Sequence, residues 1–217
     1  MHAVTPFEGG FLHTPDTANG HGLVLTHGAG SNCNAPLLVA VADAFAAAGI
    51  AVLRCDLAFR QARPHGPPFP AMAVQDRAGL ARAVRALRDR LPGKVFLGGH
   101  SYGGRQSSIL AAEEPELAAG LLLLSYPLHP PRRPADRPTA DLRTAHFPKL
   151  TTPALFVHGT RDPFGSVDEM RAALALIGGP HEMVVIEGAG HDLGGKGSGA
   201  RVAEAFLQWP ISNRPAG

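Results

Sequence analysis

Cysteine, charge imbalance and long apolar runs are all in short supply in this sequence, and each shortage removes a class of protein. Two cysteines in 217 residues, Cys33 and Cys55, are too few for a disulfide framework and lack metal-ligand spacing. They read as free thiols in a reducing compartment. The opening stretch MHAVTPFEGGFLHTP has no basic region leading into an apolar run, so a cytoplasmic protein is expected. No stretch reaches the ~18 apolar residues of a membrane span, which excludes a membrane partner. Lys and Arg exceed Asp and Glu by only 20 to 18, and a net charge of +2 makes no basic field for nucleic acid. A nucleotide cofactor finds no cradle either: GAGSNC lacks the third glycine of a dinucleotide fingerprint, and no G-x-x-x-x-G-K-[ST] occurs. No cofactor and no metal are expected.

What the chain does have is an alternation. Six short apolar runs end in glycine or polar residues: GLVLTHG at 22–28, IAVLRCD at 50–56, KVFLGGH at 94–100, GLLLLSYP at 120–127, ALFVHGT at 154–160 and EMVVIEG at 182–188. Runs of this kind are strands buried on both faces. Between them lie Ala-rich segments with helical spacing at 36–49, 73–91, 105–113, 167–179 and 199–210. In the segment 73–91 the spacing assigns Val74, Ala78, Ala81, Val84, Leu87 and Leu91 to the core and leaves Arg77, Arg82, Arg85 and Arg88 on a solvated face. Strands alternating with helices predict an α/β fold, about six mainly parallel strands flanked by helices. With 45% hydrophobic residues and no break in composition, residues 1–217 are expected to form a single domain. Near the N-terminus, GGFLHTP reads as one edge strand or a hairpin, although Pro6, Gly9, Gly10 and Pro15 interrupt the pattern.

Chemistry in an open parallel sheet collects at the carboxyl ends of the strands. Four motifs fall there: His27-Gly28-Ala29-Gly30-Ser31-Asn32, then GGHSYGG around Ser101, then Thr160-Arg161-Asp162-Pro163-Phe164, and lastly Gly188-Ala189-Gly190-His191-Asp192. Gly99-His100-Ser101-Tyr102-Gly103 is a G-x-S-x-G, and serine, acid and histidine follow in that chain order. On these four motifs, over residues 20 to 209, the sequence resembles the α/β-hydrolase superfamily and, within it, a compact bacterial group related to dienelactone hydrolases. The resemblance implies an α/β-hydrolase fold and hydrolytic activity. Dienelactone hydrolases use a cysteine nucleophile where this chain has Ser101, so their substrate does not carry over. The wider group also resembles a subunit of a eukaryotic histone acetyltransferase complex regarded as a scaffold, so membership alone does not imply catalysis.

Residue by residue, the roles follow from chemistry. Ser101 is the nucleophile, on a turn where bulk at positions 99 and 103 would collide with the adjoining backbone. His191 is the base. Of the two histidines beyond the acid, His181 opens the last strand and points away, whereas His191 lies in a glycine-rich loop able to reach the serine. Asp162 is the acid that holds the histidine tautomer, in preference to Asp192 beside the histidine. The oxyanion hole draws on the N–H of Tyr102 and on that of Ala29, with Gly30 as the second choice. His27 shapes its loop and His100 packs beside the turn.

The connection after 125 is proline-rich and too short for a large cap, so little or no cap is expected over the site. It carries Arg132, Arg133, Arg137, Arg143 and Lys149 against Asp136 and Asp141, and Arg132 and Arg133 are the expected substrate-binding residues, steering anionic substrates. The sequence thus points to a serine hydrolase that cleaves small esters or thioesters through an acyl-enzyme, working as a monomer or homodimer on a small-molecule acyl substrate. The other reading is a non-catalytic binding or scaffold protein of the same fold.

Overall fold

The structure is a computed structural model that describes residues 2–131 and 142–211. Its centre is one eight-stranded sheet in the order β1-β2-β4-β3-β5-β6-β7-β8. The six apolar runs are β3 (Gly22–Thr26), β4 (Ala51–Cys55), β5 (Val95–His100), β6 (Leu121–Leu124), β7 (Ala154–Gly159) and β8 (His181–Ile186), all parallel. Two further strands, β1 (Ala3–Phe7) and β2 (Gly10–Thr14), form an antiparallel hairpin that joins the sheet through β4. Six strands therefore become eight. The residues that seemed to break the pattern build the hairpin. Glu8 and Gly9, at φ 47° and 71°, are its two-residue turn, and Pro6 lies in the outermost strand, where a missing N–H is tolerated.

Among the described residues six α-helices flank the sheet: α1 (Pro36–Ala47), α2 (Ala58–Ala62), α3 (Ala73–Arg88), α4 (Tyr102–Glu113), α5 (Val167–Leu174) and α6 (Gly199–Gln208). Neighbouring strand residues face opposite ways, so each strand feeds two cores. Leu97, Leu123 and Phe156 pack with Leu80, Val84 and Leu87 of α3, Leu110 of α4 and Met170 of α5. Phe96, Leu122 and Val157 pack on the other face with Leu38, Val41 and Phe45 of α1 and Val202 and Phe206 of α6. Full burial of a side chain of this size stabilises by roughly 1.5–3 kcal/mol.

The expected stripe of α3 is corrected. Val74 is 66% exposed, whereas Asp76, Leu80, Ala81, Ala83, Val84 and Leu87 are buried. Asp76 takes an inward position because its carboxylate has two donors: the Phe59 N–H at 2.9 Å and the Tyr102 hydroxyl at 2.8 Å. Arg77, read as part of the solvated face, instead lines a cleft above the sheet.

That cleft lies where the strand order reverses. From β3 the chain crosses to β4 on one side, while β5 lies on the other side of β3 and leads on to β6. The loops after β3 and β5 consequently diverge, leaving a crevice at the carboxyl ends of the sheet.

Candidate active site

Ser101 stands between β5 and α4 with φ 52° and ψ −118°, a conformation that L-residues adopt only when the surroundings enforce it. Here the enforcement is close approach. A Cβ at Gly99 would lie 2.6 Å from the Gly103 carbonyl carbon, and one at Gly103 would lie 2.5 Å from the His27 carbonyl oxygen. Glycine at both positions lets strand, turn and helix pass near one another with the serine projecting at the end of the sheet.

His191, in the loop after β8, faces Ser101 with Nε2 2.9 Å from Oγ. Its other ring nitrogen, Nδ1, is 3.0 and 2.9 Å from the two oxygens of Asp162. An ionised carboxylate only accepts, so Nδ1 carries the proton and Nε2 is free to accept from the Ser101 hydroxyl. The ring is packed between Phe164, at 4.1 Å between centroids, and His100, at 4.9 Å.

The Asp162 side chain is fully buried. Burial pushes its pKa up, but the hydrogen bond and charge of His191 and the Phe164 N–H outweigh that and hold the carboxyl below its ordinary value. His158 lies behind it. The His158 Nε2–H donates to the Gly165 carbonyl at 2.8 Å, leaving Nδ1 4.0 Å from Asp162 Oδ2. Asp192, the rejected acid, is exposed and accepts from the Gly194 N–H at 3.1 Å.

Tyr102 opens α4, so its backbone N–H lies among those that a helix start leaves without an intrahelical acceptor. The loop Gly28–Ser31 borders the same cleft. Arg60 anchors it from behind, donating from Nη2 to the Ala29 carbonyl at 3.0 Å and from Nε to the Ser31 carbonyl at 2.7 Å. In a planar trans peptide the N–H lies opposite the carbonyl, so holding these two carbonyls turns the N–H groups of Gly30 and Asn32 away from Arg60. Arg60, 7% exposed, has no signal in the sequence beyond being a charged residue in an apolar context. His27 fixes the loop base: its Nδ1–H donates to the Gly28 carbonyl at 2.8 Å, and Nε2 accepts from the Leu57 N–H at 3.1 Å. His100 ties the elbow to the base loop through Nε2–H donation to the His191 carbonyl at 2.7 Å.

The cleft of about 720 Å³ is walled by Phe69, Arg77, Arg105, Ile109, Arg143 and Phe164, among others. Among the described residues, the connection from β6 to β7 contributes no α-helix, only a short 3-10 turn at Phe147–Lys149. The segment Pro68-Phe69-Pro70, before α3, supplies a rim that sequence reasoning missed. Arg132 and Arg133 lie outside the described residues. Burial pushes the Cys33 thiol up to about 11 and the Cys55 thiol up to about 12, so both are poor nucleophiles.

One further cluster, His2, His13 and Asp43, brings three potential metal ligands together among the described residues. Its chemistry opposes a cation. His13 Nε2 accepts from Arg54 Nε at 2.8 Å, so Nδ1 bears the proton, and the guanidinium is itself a positive neighbour.

Residues 19–212 match the family model described as alpha/beta hydrolase domain, and the chain belongs to that family. Its fold is similar to TT1662 from Thermus thermophilus, at 22% identity over 99% of this chain and 100% of that one, with a TM-score of 0.73. It is also similar to dienelactone hydrolase from Anabaena variabilis, at 23% identity over 96% and 98% of the two chains, with a TM-score of 0.71. A third similar structure is XC6422 from Xanthomonas campestris, described as an a/b serine hydrolase without lid, at 18% identity over 96% and 94%, with a TM-score of 0.66. No helix among the described residues is long and apolar enough to cross a membrane.

Proposed function

We propose that the protein is a serine hydrolase that cleaves small ester or thioester substrates through an acyl-enzyme. The observation that carries this reading is the unbroken line from Asp162 through His191 to Ser101, with 2.9 Å at each end of the imidazole. Ser101 Oγ attacks the substrate carbonyl as its proton passes to His191 Nε2, and Asp162 stabilises the imidazolium. The N–H groups of Tyr102 and Ala29, with Gly30 as the alternative, meet the charge on the carbonyl oxygen. Collapse of the tetrahedral intermediate breaks the bond to the alcohol or thiol, which leaves with the proton from Nε2. Water then attacks the acyl-serine with His191 again as base, releasing the acid and restoring Ser101. The reaction needs no cofactor. A cleft of about 720 Å³ suits a small acyl substrate. Two buried free thiols support a reducing, cytoplasmic setting.

The test is labelling with a fluorophosphonate probe. The wild type is expected to label at Ser101 and Ser101→Ala not at all. Equal labelling of the variant would discard the nucleophile assignment, and absence of labelling in a folded wild type would favour the scaffold reading.

A further inference from the structure

Among the described residues, the walls of the cleft hold more positive charge than their partners neutralise. Arg105 follows Ser101 by four residues, its N–H donating to the Ser101 carbonyl at 3.0 Å, so it lies in the first turn of α4 about 6 Å along the axis from the serine that precedes the helix. Arg143 borders the cleft from the connection after β6, and Arg77 from α3. Arg77 is engaged, with Nε on Glu113 at 2.9 Å and Nη1 on Gln106 at 3.1 Å. The other two are not. Among the described residues no carboxylate pairs with Arg105 or Arg143, and the buried Arg105 Nε has no hydrogen-bond partner. Arg143 has one weak side-chain contact, Nη1 to the Pro127 carbonyl at 3.3 Å. Burial, and then the charge of Arg105, lower the Arg143 pKa from its ordinary value. Two like charges facing one cleft are unfavourable in isolation, and a single anion bound between their terminal N–H groups relieves that repulsion. Guanidinium groups match a planar carboxylate edge to edge, through paired N–H donors.

We infer that Arg105 and Arg143 form a carboxylate receptor beside Ser101, so that the site selects esters or thioesters bearing a carboxylate a few bonds from the scissile carbonyl. This rests on the hydrolase reading of Ser101. The sequence placed positive charge on this connection, Arg143 included; Arg132 and Arg133 lie outside the described residues, and among the described ones Arg105 and Arg143 line the cleft. The remaining walls, Phe69, Ile109, Pro127 and Phe164, would pack the hydrocarbon between the two ends of the substrate.

Two p-nitrophenyl esters of equal acyl length test the inference: the pentanoate, which is neutral, and the hemiglutarate, which ends in a carboxylate. The ratio of kcat/KM for hemiglutarate to that for pentanoate is expected to fall about 10- to 100-fold in Arg105→Gln and in Arg143→Gln, mostly through KM, the loss of one hydrogen bond to a charged group. Arg105→Lys should keep part of the preference, and melting temperatures establish that each variant is folded. A second arm needs no turnover. Glutarate is titrated calorimetrically into Ser101→Ala, and Arg105→Gln in that background is expected to weaken binding at least tenfold. If glutarate binds in this way while wild type hydrolyses neither ester, the receptor stands and the hydrolase reading fails. If wild type hydrolyses both esters and neither the ratio nor glutarate binding responds to the arginine changes, the receptor is wrong and the hydrolase reading stands.

Discussion

Two aspartates within reach of His191 in sequence or space compete for the role of acid, and their surroundings separate them. Asp162 is buried, faces Nδ1 with both oxygens and receives the Phe164 N–H at 2.9 Å. Asp192 is exposed and spends one oxygen on the Gly194 N–H. An asparagine at 162 would present an amide N–H to the ring and favour the tautomer with the proton on Nε2, where it blocks acceptance from Ser101. Asp162→Asn is therefore expected to lower kcat for a p-nitrophenyl ester by about 10³-fold or more, while Asp192→Asn stays within about threefold of wild type. Steady-state kinetics of the two purified variants decide between them. A damaging Asp192→Asn with a benign Asp162→Asn would reverse the assignment.

At the scale of the element, the strand-turn-helix around Ser101 works because backbones touch. A methyl at Gly103 meets the His27 oxygen at 2.5 Å and the Thr26 Cγ2 at 2.7 Å, whereas a methyl at Gly30 meets nothing within 4 Å. Urea unfolding should find Gly103→Ala destabilised by about 3 kcal/mol and Gly30→Ala within about 0.5 kcal/mol of wild type. Equal stabilities would mean that the elbow relaxes at no expense. The close approach at 99 and 103 was readable from sequence, since G-x-S-x-G is itself a record of backbone contact. So were the parallel strands, because double burial leaves an uninterrupted apolar run. Asp76 and Arg60 were not readable. Each is a charged residue made welcome inside by partners far along the chain, Phe59 and Tyr102 for one, Ala29 and Ser31 for the other. Hydrophobic periodicity carries no trace of such partners, which is why the first turns of α3 were misassigned: Val74 and Ala78 were put inside where Asp76 and Leu80 are buried, while Ala81, Val84 and Leu87 were placed correctly. The N-terminal hairpin was obscured for a different reason: Pro6 and Gly9 signal interruption in a central strand and are at home in an edge strand and its turn.

For the molecule as a whole, the histidines that hold the loops in place make stability depend on pH. Burial, and then Arg54, push His13 down to about 4. Burial, and then His191, do the same to His100, and burial, and then Arg105, to His146. All three are lowered from an ordinary 6.5, the value they regain in the unfolded chain. Between pH 6.5 and 4 the unfolded state therefore binds protons that the folded state refuses, and acidification favours unfolding. The stabilisation is fully present above 6.5 and is lost as pH falls towards 4. Each histidine contributes a slope of at most about 1.4 kcal/mol per pH unit, so the three together give up to about 4 kcal/mol per unit. Asp162 acts in the same direction lower down, since its lowered carboxyl stabilises the fold above its unfolded value of 3.8 and ceases to as pH drops through the folded value. Urea titrations at pH 7.5 and 5.5 should show the unfolding free energy falling by a few kcal/mol, with uptake of more than one proton on unfolding. Replacing His146, whose Nε2 meets only the Ser108 hydroxyl at 2.8 Å, with asparagine should remove about one proton from that uptake. A free energy flat across that interval would mean that these rings accept protons while folded, and that the network from His100 to the His191 loop tolerates a charge at its centre.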